Sequence, residues 1–500
     1  MKELFVRLFS ASSFLPKEGA KGEMISSKEA YGNLMRIALP SIAEMVLMSI
    51  IGSIDTMMVS TIGTEAIAAV GLVGQPRMLM LCIFFAMNVG ITAIVARRKG
   101  ENRKEDANTA MRNSILLIIV MSAVMTLLGL AFSRPLLKLA GAASDTINDA
   151  NAYFRIITAV LPINAVTMAI CAAQRGVGNT KITMYVNITS NLVNVLFNWL
   201  LINGVGPFPK LGVAGAAIAT DIGLFMGFVL SVISLFSGKK HDSFLELKKH
   251  DNWRINRSAL MSVVKVGGNA MIEQIALRIG FFLYARIVAD LGTQAFASHQ
   301  ICMQFLNLSF NFGDGLGVAG TSLVGQMLGK KRSDLAHVYG KCAQRIAFLI
   351  AVTLATCIVI FRYPLVGLFS DEPVVVELSA KVMLFVAVFQ PFQTSAVVVG
   401  GALRGAGDTR YVAKIMAICV TVIRPVLSFA AVYVIRHYFT PILSTVDLAN
   451  TVQSIEHWTT IAPPQWALLG AWGASLVDMS IRMTLMIKRF NGGQWHEIKV

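Results

Sequence analysis

Charged residues are scarce in this chain of 500 residues, where they make up 14% of the sequence. A soluble globular protein carries about 25% charged residues, so most of this chain is not built to face water. Cysteine is scarce too, and the six cysteines include no CxxC pair, which argues against a disulfide framework and a zinc site. We expect small buried thiols instead of a metal or redox centre.

Apolar residues are correspondingly abundant. They make up 55% of the sequence, the mean hydropathy is +0.64, and long apolar runs recur throughout. A helix needs roughly 20 such residues to cross a bilayer. Twelve runs come near that length, at 35–60, 67–96, 112–133, 153–173, 183–204, 212–237, 261–289, 295–325, 343–362, 378–402, 412–437 and 466–488. The sequence therefore predicts an all-α integral membrane protein with twelve transmembrane helices in a lipid bilayer.

The net charge of +16 would suit a nucleic-acid binder, but the positions of the basic residues indicate otherwise. Lys and Arg are concentrated in alternate loops, such as 97–104, 239–257 and 330–341, whereas 61–66 and 290–294 contain none. Cytoplasmic loops of membrane proteins carry this excess. We expect a multi-pass protein of the cell (plasma or inner) membrane with both termini in the cytoplasm and no nucleic-acid partner.

The sequence contains two copies of one unit. At an offset of 229 residues, GTEAIAA (63–69) returns as GTQAFAS (292–298), and RGVGNTK (175–181) returns as RGAGDTR (404–410). Each copy holds six predicted spans, and an even number gives both copies the same orientation. We predict two parallel six-helix lobes related by a pseudo-twofold axis along the membrane normal.

The repeat also predicts the domain boundaries. LGVAGAA (211–217) pairs with LGAWGAS (469–475) at an offset of 258, so the second copy has 29 extra residues before its last span. We place them in an external loop, where insertions cost little. The predicted parts are a cytoplasmic N-terminal segment (1–34), a first lobe (35–237), a basic cytoplasmic linker (238–260), a second lobe (261–490) with its external insertion (438–465), and a cytoplasmic tail (491–500).

The first span carries two carboxylates, Glu44 and Asp55, although a charge at bilayer depth costs about 2.5–3.5 kcal/mol on insertion scales. They are eleven residues apart, or about three helical turns, and therefore lie on one face. Pro40 removes a backbone hydrogen bond and is predicted to be a hinge. Asp55 either faces the interior of the bundle or lies at the membrane interface near the outer end of its helix.

Asparagine recurs in the fifth span at spacings of four, three and four residues. The four amides, of Asn187, Asn191, Asn194 and Asn198, therefore lie on one stripe of the helix. In lipid such a stripe must be satisfied by another helix, by water or by an ion. Helix–helix hydrogen bonding is one interpretation. The other is a cation site, because carboxamide oxygens beside a carboxylate suit a desolvated Na⁺.

The second copy lacks this polar set. At the equivalent positions Asp55 becomes Tyr284, Thr220 becomes Asp478, and the four asparagines become Met416, Val420, Ile423 and Leu427. If the asparagines only joined helices, the equivalent helix would be expected to keep some of them. The asymmetry favours a single cation site in the first lobe.

Other polar positions are present in both copies. Glu44 pairs with Glu273, and Gln75 pairs with Gln304. These side chains either line a shared central cavity or serve the structure. The candidate substrate and cavity residues are Glu44, Gln75, Asn187, Asn191, Glu273 and Gln304.

Taken together, these features resemble the MATE (multidrug and toxin extrusion) family. The resemblance is carried by the two copies of six spans, by Pro40 fifteen residues before Asp55 in SIDTMMVS, by LGTQAFASHQ at 291–300, and by the paired RG-x-G-[ND]-T turns. It covers about 35–490.

The resemblance implies a V-shaped pair of lobes that exports organic, often cationic, compounds in exchange for Na⁺ or H⁺. It also implies a cation site made by a carboxylate of span one and polar groups of spans five and six. In this chain those positions are Asp55, Asn194, Asn198 and Thr220. Some members have an aspartate in place of Asn198, and others use an acidic residue in span ten, where this chain has Gln393.

The sequence shows no nucleophile–base set and no ATPase signature, so we expect a secondary transporter and no enzyme. The predicted function is export of organic, cationic or amphipathic compounds by a monomeric antiporter that is coupled to Na⁺ or H⁺ and uses no cofactor. One alternative is a lipid-linked oligosaccharide flippase of the same superfamily, which Arg278 and Arg286 in span seven would suit. The other is an exporter of one specific metabolite.

Overall fold

The computed structural model describes residues 10–15, 19–141, 146–236, 244–248, 253–439 and 466–498, and within these ranges the chain is helical without a β-strand. Besides the short helices Ala11–Phe14 and Ser133–Leu139, the described part of the chain forms twelve helices in succession, six in each copy of the repeat. They are α1 Ser27–Ser60, α2 Thr64–Gly100, α3 Lys104–Ala131, α4 Ile147–Ala159 with Leu161–Gly176, α5 Thr180–Asn203, α6 Gly212–Phe236, α7 Arg257–Ala289, α8 Thr293–Gly329, α9 Ser333–Gly367, α10 Pro373–Gly405, α11 Thr409–Met416 continued through Ala417–Ile423, Arg424–Val434 and Ile435–Phe439, and α12 Trp466–Asn491. Residues 440–465 of the predicted insertion lie outside the described residues.

The helices have the length that a membrane requires. In the described part of the chain, 8 helices (α1–α3, α5, α6 and α9–α11) are long and apolar enough to cross a bilayer, and the bent helix α4 makes 9 if its two parts count as one span. The other three, α7, α8 and α12, have 33, 37 and 26 residues. That length also spans the roughly 30 Å hydrocarbon core, but these helices carry more polar, charged or glycine residues.

The two lobes pack in the same pattern. In the first lobe α1 packs on α5 and α5 on α6, and in the second α7 packs on α11 and α11 on α12. Thr92 Oγ1 donates to the carbonyl of Ala172 at 2.9 Å, and the equivalent Thr321 donates to Gly401 at 2.7 Å. Between the lobes, α1 packs on α8 while α7 packs on α2. Reciprocal contacts of this kind are what a two-fold axis produces, as predicted.

The lobes touch near one end, which we call the basic end because it carries the turns around Lys99, Arg175, Lys330 and Arg404. There α2 and α8 approach so closely that a Cβ on Gly100 would overlap the Gln326 carbonyl, and one on the equivalent Gly329 would overlap the Arg97 carbonyl. Nearby, Gln326 Nε2 and Ser322 Oγ of the second lobe donate to the Gly176 carbonyl of the first at 3.0 and 3.1 Å. Only glycine permits this contact between two backbones.

Most helices begin earlier than the apolar runs indicate, and in two of them a polar side chain caps the added first turn. The Ser26 hydroxyl accepts a hydrogen bond from the Glu29 amide at 3.2 Å, so α1 starts at residue 27 instead of 35. Asn256 caps the amides of Ser258 and Ala259 and starts α7 at residue 257 instead of 261. Hydropathy alone does not detect these polar first turns.

The described part of the basic linker is held against the start of α3. The Glu246 amide donates to Asn108 Oδ1 at 2.9 Å, and its carboxylate lies 3.2 Å from Lys104 Nζ and 3.0 Å from Lys248 Nζ. The Lys248 ammonium beside Glu246 holds the pKa of that carboxyl below its usual range. The linker is thus attached to the first lobe at the basic end.

Three helices depart from regular geometry, and one of them is α9, which is kinked at Phe361, three residues before Pro364. Helix α4 bends by 49° between Ala159 and Leu161, directly before Pro162, which has no amide hydrogen to continue the ladder. The equivalent Pro391 lies within one continuous helix, α10. Helix α11 contains a seven-residue π segment, Ala417–Ile423, which its equivalent α5 does not share. Such segments often mark functional positions.

Candidate functional site

The asparagine stripe of α5 divides into two parts. Towards the basic end, Asn187 Nδ2 donates to Glu44 Oε1 at 2.6 Å, and Asn191 Nδ2 donates to the Asn187 carbonyl at 2.8 Å. Farther along, Asn194 Nδ2 donates to Thr220 Oγ1 at 3.1 Å, and Asn198 Nδ2 donates to Asp55. Asn187 thus joins α5 to α1, whereas Asn194 and Asn198 join α5 to both α6 and α1.

We call Asp55, Tyr153, Asn194, Asn198 and Thr220 the N-lobe site. Asn198 is fully buried, Tyr153 and Asn194 are buried, and Asp55 and Thr220 are half-buried. The Tyr153 hydroxyl forms a hydrogen bond with Thr220 and interacts electrostatically with Asp55. The structure therefore brings together all four residues predicted for the cation site, and Asp55 faces the interior of its lobe.

One atom of the site is available for a ligand. Asn198 Oδ1 is buried and has no hydrogen-bond partner among the described residues, while its Nδ2 donates to Asp55. An unpaired buried carboxamide oxygen costs free energy, and a cation beside the carboxylate would satisfy it. The donor set of carboxylate, carboxamide and hydroxyl oxygens is the hard set that an alkali cation prefers.

Two charged residues near the site were missed in the sequence. Arg77 of α2 interacts electrostatically with Asp55, and both Arg77 and Tyr153 interact with Asp221 of α6. Asp221 Oδ1 is also buried without a partner among the described residues. Charges at this depth are expensive and therefore informative; each stands in an apolar run, and that signal was enough to find both.

The predicted cavity glutamates lie in buried ion pairs. Glu273 lies 2.5 Å from Arg404 NH2 and accepts a second bond from Arg404 Nε at 3.3 Å. Glu44 lies 3.8 Å from Arg175 NH1 and accepts from Thr183 Oγ1 at 3.1 Å. Each pair joins the first helix of a lobe to the end of its fourth. The two arginines, which begin the RG-x-G turns, thus bind glutamates.

The remaining predicted positions are spread over the helices. Gln75 and Gln304 are exposed side chains on α2 and α8. Pro40 is buried inside the continuous helix α1. Beside it, the Ile37 carbonyl accepts a hydrogen bond from Thr180 Oγ1 at 2.8 Å. This contact attaches the predicted hinge to the start of α5.

Replacing Glu273 with glutamine should destabilise the protein more than replacing Glu44 with glutamine. The first change leaves the Arg404 guanidinium without its charge partner, and breaking a buried ion pair from one side costs about 3–5 kcal/mol. In the second lobe no equivalent of Asn187 supports the glutamate. A glutamine in place of Glu44 would still accept from Asn187 with its oxygen, and its amide could donate to the Thr183 hydroxyl, which keeps its own bond to the Thr180 carbonyl. Thermal unfolding of the detergent-purified variants measures the difference. Equal melting temperatures for the two variants would contradict this account, and the double variant Glu273→Gln/Arg404→Gln, which removes both charges, should recover part of the loss.

Comparisons with known proteins match this architecture. The MatE family model matches residues 40–200 and 270–430, one copy of the repeat each. A probable multidrug resistance protein NorM from Thermotoga maritima is 27% identical over 491 residues, covering 97% of this chain and 96% of the relative. The agreement thus extends across both lobes and the linker between them.

Solved structures show the same fold. A MATE protein in complex with MaD3S superposes with a TM-score of 0.80 at 20% identity, covering 93% of this chain and 97% of that one. A multidrug resistance MATE family transporter of the MOP superfamily, in an outward-facing conformation, superposes with a TM-score of 0.79 at 20% identity and the same coverage of 93% and 97%. The predicted twelve-helix, two-lobe architecture is confirmed.

Proposed function

This chain belongs to the MatE family of secondary transporters, and we propose that it exports small organic, cationic or amphipathic compounds in exchange for Na⁺ or H⁺. The observation that carries the proposal is the N-lobe site, where Asp55 accepts a hydrogen bond from Asn198 while Asn198 Oδ1 lacks a partner among the described residues. A cation bound there would neutralise the carboxylate and satisfy that oxygen. The relative named as a probable multidrug resistance protein supports the class of substrate.

The contacts between the lobes support an alternating-access cycle. The lobes touch through Gly100, Gly329 and their neighbours at the basic end, which the positive-inside rule assigns to the cytoplasm. In such a cycle, a closed inner end belongs to the state that is open to the outside. Opening the inner end requires the α2–α8 contact to separate as the lobes rock.

The N-lobe site can couple this motion to an ion. A cation at Asp55 pulls together α1, α5 and α6, since the site draws its oxygens from these three helices. The resulting change in α1 is transmitted past Pro40, where the helix lacks one backbone hydrogen bond. For coupling, the cation must bind the two states with different affinity, because a ligand that binds both equally shifts nothing.

Gradient-driven transport in proteoliposomes tests the proposed function. Efflux of a fluorescent organic cation should accelerate under an imposed gradient of either Na⁺ or H⁺, and an ionophore that collapses the effective gradient should abolish the gain. The same measurement identifies the coupling ion. Equal efflux under both gradients and under none would refute the proposal, and transfer of a labelled lipid-linked oligosaccharide in place of the dye would favour the flippase instead.

A further inference from the structure

The second lobe has a buried charge cluster of its own, which we call the C-lobe cluster: Arg424, Asp478 and Arg482. Arg424 donates to Asp478 Oδ2 from Nε at 3.0 Å and from NH2 at 2.7 Å. Arg482 NH2 donates to Gln393 Oε1 at 2.6 Å. All three charged side chains are 3% exposed or less. The second copy has therefore replaced the polar set of the first, although not residue for residue.

The Arg424–Asp478 contact occupies the place of an N-lobe contact. Asp478 is the equivalent of Thr220 at the offset of 258 residues. In the first lobe, Asn194 of α5 donates to Thr220 of α6 at 3.1 Å, and in the second, Arg424 of α11 donates to Asp478 of α12. The same pair of helices is joined by the same direction of hydrogen bonding, but the second lobe uses a cation and an anion.

The π segment of α11 explains how Arg424 reaches this place. By sequence offset Arg424 corresponds to Val195, which is next to Asn194 and on a different face of the helix. A π helix bonds residue i to i+5 instead of i+4, so each of its residues turns less about the helix axis than in an α-helix. Over the seven residues of this segment, the difference adds up to roughly the rotation of one residue. The segment ends at Ile423, directly before Arg424, and turns the arginine into the direction of Asn194.

The guanidinium is held from its other side by rings. Arg424 Cζ lies 5.4 Å from the centre of the Phe281 ring and 6.0 Å from that of Tyr284, within the range of a cation–π interaction. Tyr284 is the equivalent of Asp55. The first lobe therefore has a carboxylate at this position, whereas the second has an aromatic ring that contacts the Arg424 guanidinium.

The N-lobe site and the C-lobe cluster have opposite balances of charge. Around the N-lobe site stand two carboxylates, Asp55 and Asp221, and one guanidinium, Arg77. The C-lobe cluster contains one carboxylate and two guanidinium groups. These side chains would thus attract a mobile cation to the N-lobe site and repel it from the C-lobe cluster.

We propose that Arg424 is the resident cation of the second lobe, a tethered guanidinium in the position where the N-lobe site receives its exchangeable ion. The assignment rests on the proposed function of the N-lobe site. It makes Arg424 a specificity-determining residue, because a fixed cation at Asp478 leaves only the first lobe to exchange an ion with solution. Without the Arg424 head group, Asp478 would become a second cation site.

Chemical rescue by guanidinium tests the proposal. Arg424→Ala should lower the melting temperature of the purified protein, and millimolar guanidinium chloride should restore at least half of the loss, because the free ion can take the place of the missing head group. The wild type should show no such gain. The double variant Arg424→Ala/Asp478→Asn, which lacks the anion as well, should not respond to guanidinium either. If Arg424→Ala is not recoverable from membranes, Arg424→Gln, which retains more of the side-chain volume, takes its place in the same comparison.

The result can be separated from the fate of the proposed function. The rescue is measured by stability, and it should persist when Asp55→Asn is added, since the two sites lie in different lobes. In vesicles, guanidinium should also restore gradient-driven efflux to Arg424→Ala. If guanidinium restores the stability of Arg424→Ala but the wild type shows no gradient-driven efflux, the proposal about Arg424 stands and only the transport proposal is overturned. The proposal that Arg424 is a resident cation would be overturned by either of two results. Guanidinium could stabilise the double variant as strongly as it stabilises Arg424→Ala, or it could stabilise neither variant.

Discussion

Asp55→Asn is expected to abolish efflux driven by a cation gradient while the protein still folds and inserts. The asparagine has the same shape and can still meet the Asn198 amide, so the contact between α1 and α5 remains. The negative charge, however, is lost. Removing one partner of a buried charge pair costs about 3–5 kcal/mol, which lowers cation affinity by roughly two to four orders of magnitude.

Proteoliposome efflux with and without the gradient measures this loss. Asp290→Asn is the matched control, because Asp290 follows the equivalent helix α7 and forms an exposed ion pair with Arg286 at 3.4 Å. Such a surface pair contributes little, and this variant should transport normally. Undiminished coupled efflux by Asp55→Asn would exclude the N-lobe site as the coupling site.

Gly100→Ala and Gly329→Ala are expected to prevent closure of the basic end. In each case the new methyl group would overlap a backbone carbonyl of the other lobe, and a backbone cannot give way as a flexible side chain can. Each lobe keeps its own packing, so the variants should remain folded. They should rest with the basic end open and lose nearly all transport.

A distance between spin labels at Arg103 and Lys330, on the turns of the two lobes at this end, reports the change. The label background needs Cys357→Ser, since Cys357 is exposed whereas the other five cysteines are buried. Gly268→Ala is the control, because a Cβ there meets nothing within 4 Å. An unchanged distance in Gly329→Ala would show that the contact does not control closure.

The sequence predicts the scaffold well because the scaffold depends on local and repeated properties. Apolar runs place the helices, and the offset of 229 residues places the lobes. The asparagine spacing in α5 likewise indicates one face, and α5 turns that face towards Asp55 and Thr220. Each of these inferences uses only helical periodicity, which tertiary packing leaves intact.

The buried ion pairs could not be predicted in the same way. Arg404 follows Glu273 by 131 residues, and an arginine at a helix end is equally able to extend into water. The direction of the Arg404 side chain depends on how α7 packs against α10 in the folded protein. The place of Arg424 depends in turn on a π segment, which no apolar pattern reveals. The sequence offset pairs Arg424 with Val195, and only the added rotation of about one residue brings the arginine to the place that Asn194 has in the first lobe.

The reciprocal contacts at the basic end bear on how such a chain can change over time. Gly100 meets Gln326 while Gly329 meets Arg97, and this arrangement is isologous, as between the identical subunits of a symmetric dimer. In a dimer of identical subunits every substitution occurs twice, so a new arginine beside one ion site would appear beside both. Joining the two copies in one polypeptide removes that constraint. One half is then free to keep Asp55 while the other acquires Tyr284. Duplication followed by fusion thus allows symmetric contacts between the lobes together with different buried polar sites inside each lobe.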